Sequence, residues 1–276
     1  MPGRSLSGMP AFALNHMTVA AVGFRPMLEL AQQLGCVGVE CRNDLSGPLF
    51  DGYSAKQAAK MLRDAGLRLL SLAEIKQFDR LSESALPDAV AHMDVAADAG
   101  AEAISLIPGN DGSVFDEAAF VESLELLQPH LKQRGLIGLI EPLGFETCSL
   151  RFKKTAIDIL EKHDHLTDFQ LIHDTFHHHV AGEIDLFADQ TGLVHLSGVA
   201  EPGLDASKML DPHRILLDQD DRLGNIIQIN QLLSAGYSRP LSFEAFAPAV
   251  HRDPNLVEMI RHSMNHIDAA LSQEAA

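Results

Sequence analysis

The stretch FQLIHDTFHHH, residues 169–179, joins a short apolar run to an aspartate and a histidine-rich segment. The run FQLIHD is continuously rather than alternately apolar, which is typical of a strand buried on both faces of a parallel sheet. Histidine-rich tracts are by themselves only a compositional signal. The function of the aspartate and the histidines therefore depends on what the rest of the chain brings to the same place.

Seven other short apolar runs occur along the chain, and segments with helical spacing separate them. The eight runs are AFALN (11–15), CVGVEC (36–41), LRLLSL (67–72), AISLI (103–107), LIGLIE (136–141), FQLIHD (169–174), LVHLSG (193–198) and PLSFEAF (240–246). Amphipathic spacing predicts helices over 26–34, 54–65 and 115–133, with N-caps at Ser54 and Asp116 and stops at Gly35, Gly66, Gly100 and Gly135.

Eight alternating β-α units in this length predict an α/β fold, a (β/α)8 TIM barrel. We assign residues 11–276 to a single barrel domain and residues 1–10 to a disordered leader. The polar stretch within 199–239 is expected to form a long loop over the barrel mouth and more than one helix. A doubly wound open sheet has the same alternation and stays an alternative, although no G-x-G-x-x-G follows any strand.

The composition indicates a soluble, cytoplasmic protein. The 276 residues include 38 acidic and 21 basic side chains, and a formal charge of -17 disfavours nucleic acid and anionic membranes as partners. The three cysteines, Cys36, Cys41 and Cys148, show no pattern of disulfides or zinc thiolates, which fits a reducing compartment. The chain contains no signal-peptide core and no run of 18 apolar residues.

Four consecutive predicted strands carry metal-capable side chains at or near their carboxyl ends. These are Glu141, Asp174, His195 and Glu244. Each alone is more often a helix cap, a loop residue or a hydrogen-bonded core histidine. The strand ends of a TIM barrel converge on one mouth, however, and three carboxylates buried together are costly unless a cation offsets their charge.

Three oxygen ligands and one nitrogen describe a site for manganese, magnesium, cobalt or zinc rather than for copper or an iron–sulfur cluster. An octahedral ion with four protein ligands has two positions left for a substrate carbonyl and its adjacent hydroxyl. A cation there polarises the carbonyl and stabilises an enediolate while a carboxylate moves the proton. This is the chemistry of isomerases and epimerases.

The chain resembles the xylose isomerase-like TIM-barrel superfamily of sugar isomerases and epimerases, most closely its inosose (2-keto-myo-inositol) isomerase branch. The resemblance extends from ALNHMT (13–18) and VGVECRND (37–44) to SFEAFAP (242–248). It implies one divalent ion, first of all manganese, held by Glu141, Asp174, His195 and Glu244. It also implies a keto-sugar or ketocyclitol as the small-molecule substrate, and a homo-oligomer is compatible with it.

The same resemblance assigns roles to individual residues. The family's D-x-x-H pair corresponds to Asp174 and His177, so that His177 faces the substrate. The acid/base pair corresponds to Glu141 and Glu244. Arg214, in the segment DPHR, matches a family arginine that contacts substrate or a ligand carboxylate.

Three residues near the ends of strands 2 and 3 have two open interpretations. Glu40, Arg42 and Glu74 either bind substrate hydroxyl groups or form local ion pairs at the rim. The sequence alone does not separate these alternatives.

The remaining polar residues of these segments receive supporting roles. His173 and His178 are expected in packing or in contacts behind the site, and His179 matches a position lining the same neighbourhood. The acidic run 218–221 is expected to be a solvated loop. Where many relatives have P-G-x-G-x-I-D, this chain reads DDRLGNIIQI (220–229), which leaves the substrate of the inosose branch as an open question.

Three other functions compete with an isomerase. An inosose dehydratase would use the same cation and carboxylates to expel a β-hydroxyl group. The superfamily's apurinic endonucleases need extra histidines at strands 2 to 4, where this chain has Glu74 and Pro108. A non-catalytic sugar-binding barrel is the third alternative, and the presence of both Glu141 and Glu244 argues against it.

Overall fold

The computed structural model describes residues 10–274, and the expected leader over residues 1–10 falls almost wholly outside them. Eight parallel strands form a closed barrel in the order in which they occur in the sequence, with β8 paired to β1. Closure of the sheet excludes the doubly wound alternative and confirms the (β/α)8 prediction.

All eight predicted strands are present, with bounds shifted by a few residues at most ends. The strands are β1 Phe12–Asn15, β2 Gly38–Arg42, β3 Arg68–Lys76, β4 Ala103–Ile107, β5 Ile137–Ile140, β6 Phe169–Asp174, β7 Thr191–Leu196 and β8 Leu241–Phe243. The largest difference is in β3, which continues four residues beyond the predicted end and so includes Glu74.

Helices follow the strands and cover the outside of the barrel. They are α1 Phe24–Leu34, α2 Ala55–Ala65, α3 Leu86–Ala99, α4 Glu117–Arg134, α5 Lys153–Lys162, α6 Thr175–Ala181, α7 Asn225–Ser234, α8 Pro248–His251 and α9 Leu256–Glu274. The predicted caps Ser54 and Asp116 accept hydrogen bonds from the first turns of α2 and α4. The predicted stops are all glycines in the left-handed region, at the ends of α1 to α4.

The barrel interior consists of an apolar layer and a polar layer. The apolar layer lies toward the amino ends of the strands and contains Ala13, Leu70, Ala103, Leu139, Ile172 and Leu193. Further along the strands the inward side chains become polar, including a buried hydrogen bond of 2.8 Å between Ser71 and Ser105. The carboxyl end of the barrel is therefore built to hold polar groups rather than to fill space with branched aliphatic side chains.

The segment between β7 and β8 contains two short 3-10 helices, Ala206–Lys208 and Asp211–His213, and then α7. Residues 218–221 form a loop with exposed or partly exposed side chains, as expected, and Asp221 in addition has a structural role. This carboxylate accepts backbone hydrogen bonds from Leu223 and Asn225 and so fixes the entry to α7. Within residues 10–274, no helix has the length and apolarity needed to cross a bilayer.

Candidate metal centre

The four residues singled out at the strand ends meet at the carboxyl end of the barrel. One ligand atom from each of Glu141, Asp174, His195 and Glu244 lies within 4.8 Å of the other three, and all four residues are buried. Glu141 and Glu244 directly follow β5 and β8, and their backbone N–H groups bond to the neighbouring strands at 3.1 and 2.8 Å. The ladder between strands thus fixes the backbone beneath these two side chains.

Asp174 is held in place because it both ends β6 and caps α6. Its Oδ1 accepts hydrogen bonds from the backbone of Phe176 at 2.7 Å and of His177 at 3.1 Å, while its Oδ2 faces the cluster. The same cap places His177 one turn into the helix. The D-x-x-H spacing therefore puts the aspartate in the cluster and the histidine beside it.

His195 directs its Nδ1 at the carboxylates. This atom lies 3.1 Å from Glu244 Oε2, 3.2 Å from Glu141 Oε1 and 4.0 Å from Asp174 Oδ2. The other ring nitrogen, Nε2, is 3.0 Å from Glu40 Oε2. Glu40 has no exposed surface and does not line the cavity above the cluster, so its position does not support the predicted contact with substrate.

Two arginines bind the carboxylate of Glu244. Arg42 donates to Oε1 at 2.6 Å, and Arg214 donates to Oε2 at 2.8 Å as well as to Asp174 Oδ2. The guanidinium of Arg214 also lies over the Phe246 ring, 4.3 Å from its centroid. Arg214 is thus bonded to two of the four residues of the cluster, in agreement with a contact to ligand carboxylates.

The pKa values in the cluster are displaced in opposite directions. Burial raises the pKa of Glu141 to about 7, although the nearby His195 opposes the shift. Burial also acts on Glu244, but His195, Arg214 and Arg42 outweigh it and hold the pKa of Glu244 below its usual range. Burial would lower the pKa of His195, whereas the carboxylates around it raise that pKa well above its ordinary value.

The network of ion pairs around the cluster has an excess of negative charge. Its three cationic groups, the guanidinium groups of Arg42 and Arg214 and the His195 ring with its raised pKa, pair with six carboxylates. The six are Glu40, Asp44, Glu141, Asp174, Asp211 and Glu244. Buried charges without compensation are costly. A divalent cation would supply the missing positive charge, and a set of carboxylate oxygens and one imidazole is a donor set that Mn²⁺, Mg²⁺, Co²⁺ and Zn²⁺ accept.

A cavity of about 300 Å³ lies above the cluster, large enough for a small molecule. Of the four clustered residues only Glu141 and Glu244 are among its lining residues. His177 also lines it, and the backbone N–H of Gly144 donates to His177 Nδ1 at 3.3 Å. Glycine is required at 144 because a Cβ there would lie 2.2 Å from the carbonyl oxygen of His177.

Arg42 and Glu74 form the local ion pairs that were one of their two alternatives, at the rim of the cavity. Both residues line it, and both form ion pairs: Arg42 binds Asp44 through two hydrogen bonds of 2.9 Å, and Glu74 lies 3.1 Å from Lys76. Burial raises the pKa of Glu74, and Arg42 opposes the shift.

The other histidines of the opening stretch lie behind the site. His173 and His178 each place Nδ1 2.9 Å from Lys153 Nζ, and His173 Nε2 lies 2.9 Å from Gln228 Oε1. This network joins the starts of α5 and α6 to α7, as expected for contacts that support the site. His179 is partly buried and is not among the residues lining the cavity.

Three further polar residues of the site were not predicted from the sequence. Asn15 donates to Glu244 Oε1 at 3.2 Å, and Asp44 and Asp211 bind the two arginines. Asn15 ends β1 in the same way that Asp174 ends β6. The rule that polar residues at strand ends converge would have found it if applied to all eight strands.

With this geometry established, comparisons with known proteins identify the family. The family model described as xylose isomerase-like TIM barrel matches residues 28–270. The chain belongs to the xylose isomerase-like TIM-barrel family. No curated protein matches the sequence.

Solved structures of similar fold cover nearly the entire chain. A xylose isomerase domain containing protein from Salmonella typhimurium LT2 is 26% identical with a TM-score of 0.85, over 99% of this chain and 100% of that one. The IolI protein with a bound zinc atom is 17% identical with a TM-score of 0.80, over 95% and 98%. An L-ribulose 3-epimerase is 18% identical with a TM-score of 0.70, over 97% and 96%. The last two likenesses concern the fold alone.

Proposed function

We propose that the protein is a divalent-metal-dependent isomerase or epimerase that acts on a keto-sugar or a ketocyclitol. The observation that carries this proposal is the convergence of Glu141, Asp174, His195 and Glu244 within 4.8 Å beneath a cavity of about 300 Å³. Membership of a family with sugar isomerases and the zinc atom in the IolI protein support it further.

The four clustered residues would hold the cation, and their donor set admits manganese, cobalt, magnesium or zinc. When bound, such an ion supplies Lewis-acid polarisation of the substrate carbonyl, which makes the proton on the neighbouring carbon more acidic. Asp174 and His195 do not line the cavity, so they would only bind the cation. Glu141 and Glu244 do line it, so they would bind the cation and also face the substrate.

Glu141 and Glu244 are assigned the proton transfer. They follow β5 and β8, two strands separated by β6 and β7, and so approach the cavity from different parts of the barrel wall. Epimerisation needs a proton acceptor on one side of the carbon and a donor on the other. One of the two carboxylates removes the proton from the carbon next to the carbonyl. Either the same group or the other carboxyl group then returns a proton to the substrate.

The remaining lining residues bind and orient the substrate. Arg42 and Arg214 are engaged by carboxylates and hold Glu244 at both of its oxygens. His177 and Glu74 are left to contact hydroxyl groups from the wall and the rim, while the ring of Phe246 provides an apolar surface. The proposed substrate contacts are therefore His177 and Glu74; Arg42 and Arg214 line the cavity but bind Glu244, and Glu40 is removed from the set.

Proton NMR in deuterated water tests the proposal directly. The metal-loaded protein is incubated with a panel of inososes and ketohexoses. We expect one substrate to exchange a carbon-bound proton for deuterium without losing water, and we expect the Glu141→Gln variant to lose the exchange while still binding metal. Formation of an unsaturated diketone would instead show a dehydratase, and a ligand that binds without exchange or turnover would show a sugar-binding barrel.

A further inference from the structure

Glu40 occupies a place in the barrel that the proposed mechanism does not use. It lies on β2, two residues before Arg42, and its side chain has no exposed surface. Residues two apart on a strand are separated by about 6 to 7 Å along it. Arg42 therefore reaches the rim of the cavity, while Glu40 points into the polar layer beneath the cluster.

The carboxylate of Glu40 has a partner at each oxygen. Oε2 lies 3.0 Å from His195 Nε2, and Oε1 accepts a hydrogen bond from the hydroxyl of Ser242 on β8. His195 is paired with Ser242 in the register of β7 and β8. The contact consequently crosses the barrel interior from β2 to the neighbouring strands β7 and β8, and holds the imidazole from below.

This contact engages Nε2 of His195 as a hydrogen-bond donor to Glu40. A carboxylate can only accept hydrogen bonds, so the nitrogen that faces Glu40 must be the donor. Nδ1 is then the ring nitrogen that is left to bind a cation. That atom faces Glu141 and Glu244 at 3.2 and 3.1 Å, which is the position from which a cation shared with them would be bound.

We propose that Glu40 is a positioning residue that fixes His195 as a donor of its Nδ1 lone pair to the cation site. The inference rests on the proposed metal site and adds a residue that determines metal affinity without touching metal or substrate. Carboxylates that hold the second nitrogen of a metal-binding histidine typically change metal affinity by about 10- to 100-fold. Ser242 contributes by orienting the carboxylate.

Zinc binding and nitrogen NMR of the full-length protein test this proposal. Zn²⁺ affinity is measured by calorimetry against a competing chelator, and ¹⁵N-histidine spectra of the zinc-loaded protein report which nitrogen of His195 carries hydrogen, with His195→Gln used to assign its signals. We expect Glu40→Gln to weaken zinc binding by about 10- to 100-fold and to mix the two ring forms. Ser242→Ala should give a smaller loss in the same direction.

The matched control is Ser71→Ala, because Ser71 is a buried serine of the same polar layer that bonds to Ser105 and not to His195. It should leave zinc affinity and the His195 signals unchanged. Wild-type affinity and unchanged signals in Glu40→Gln would overturn the role of Glu40. If that variant does not fold, the same result in Ser242→Ala overturns it. Failure of the wild-type protein to bind zinc, manganese or cobalt would instead remove the metal site itself.

Discussion

The two ends of the barrel both carry charged side chains around a cavity, but they balance that charge differently. At the amino end, Arg68 and Glu102 form one ion pair with two hydrogen bonds of 2.6 Å beside a cavity of about 380 Å³, and their side chains are 50% and 46% exposed. At the carboxyl end, four buried carboxylates pair with only three cationic groups, which are His195 and two arginines.

The difference shows why the smaller cavity is the stronger candidate for a functional site. In an exposed ion pair the two charges neutralise each other and water solvates them, so the pair needs no further partner and contributes little to stability. A buried excess of one sign is stable only with a further partner, here a cation. A buried excess of one charge therefore indicates a functional site better than the volume of the cavity does.

The largest expected effect is on kcat/KM, which should fall after a substitution at the carboxyl end of the barrel but not after one at the amino end. Replacing Glu244 with Gln removes a proposed proton-transfer group and a ligand, and we expect kcat/KM to fall by about 10² to 10⁴-fold. The matched change at the other end, Glu102→Gln, should alter kcat/KM less than about twofold because it removes only an exposed pair. Steady-state assays on the substrate found by NMR provide the measurement. Equal losses in both variants would contradict the comparison.

The second effect is the stabilisation by added metal. Mn²⁺ at a hundred times its dissociation constant should raise the free energy of unfolding by about 2.7 kcal/mol. Asp174→Asn should lose most of this increase, and its stability without metal should also differ from wild type, because Asn keeps the helix cap but not the charge that pairs with Arg214. Thermal and denaturant unfolding with and without Mn²⁺ measure both quantities. A variant stabilised as strongly as wild type would exclude Asp174 from the ligands.

A third effect concerns a buried charge outside both cavities. Burial lowers the pKa of Lys153 to about 8, although Glu183 opposes the shift, and the amine is enclosed by His173 and His178. Between pH 8 and the ordinary lysine pKa the unfolded chain binds the proton more tightly than the native protein. The free energy of unfolding should therefore gain about 1 to 3 kcal/mol as pH rises from 8 to 10.5.

The variant Lys153→Met isolates this contribution, since other groups titrate in the same range. The wild-type curve should rise relative to that of the variant between pH 8 and 10.5, and the two should run parallel below pH 7. Denaturant unfolding at a series of pH values measures the difference. Parallel curves throughout would show that Lys153 has an ordinary pKa in the native protein.

The smallest effect is expected at the exposed pair. Arg68→Ala should lower the free energy of unfolding by at most about 1 kcal/mol, because solvent screens the pair and two long side chains must be ordered to form it. Urea unfolding at low and high salt gives the value and its salt dependence. A loss of several kcal/mol would mean that this pair is not the weakly stabilising exposed contact that its geometry indicates.

Much of this site could be predicted because a barrel converts order along the chain into position in space. Polar residues at the ends of consecutive parallel strands must converge, so Asp174 and His195 could be placed together from the runs FQLIHD and LVHLSG. Glu40 could not be placed this way. Its strand and inward direction follow from the pattern, but its depth depends on how far β2 is staggered against β7.

The sequence by itself determined the count and order of the strands, because continuous apolar runs and helical spacing are local properties of the chain. It also placed Glu141, Asp174, His195 and Glu244 together at the barrel mouth. Only the tertiary structure decided that Glu40 supports His195 instead of lining the cavity, and that Arg42 and Arg214 bind Glu244. These contacts join residues far apart in the chain, and their distances depend on stagger and side-chain direction, which local patterns do not encode.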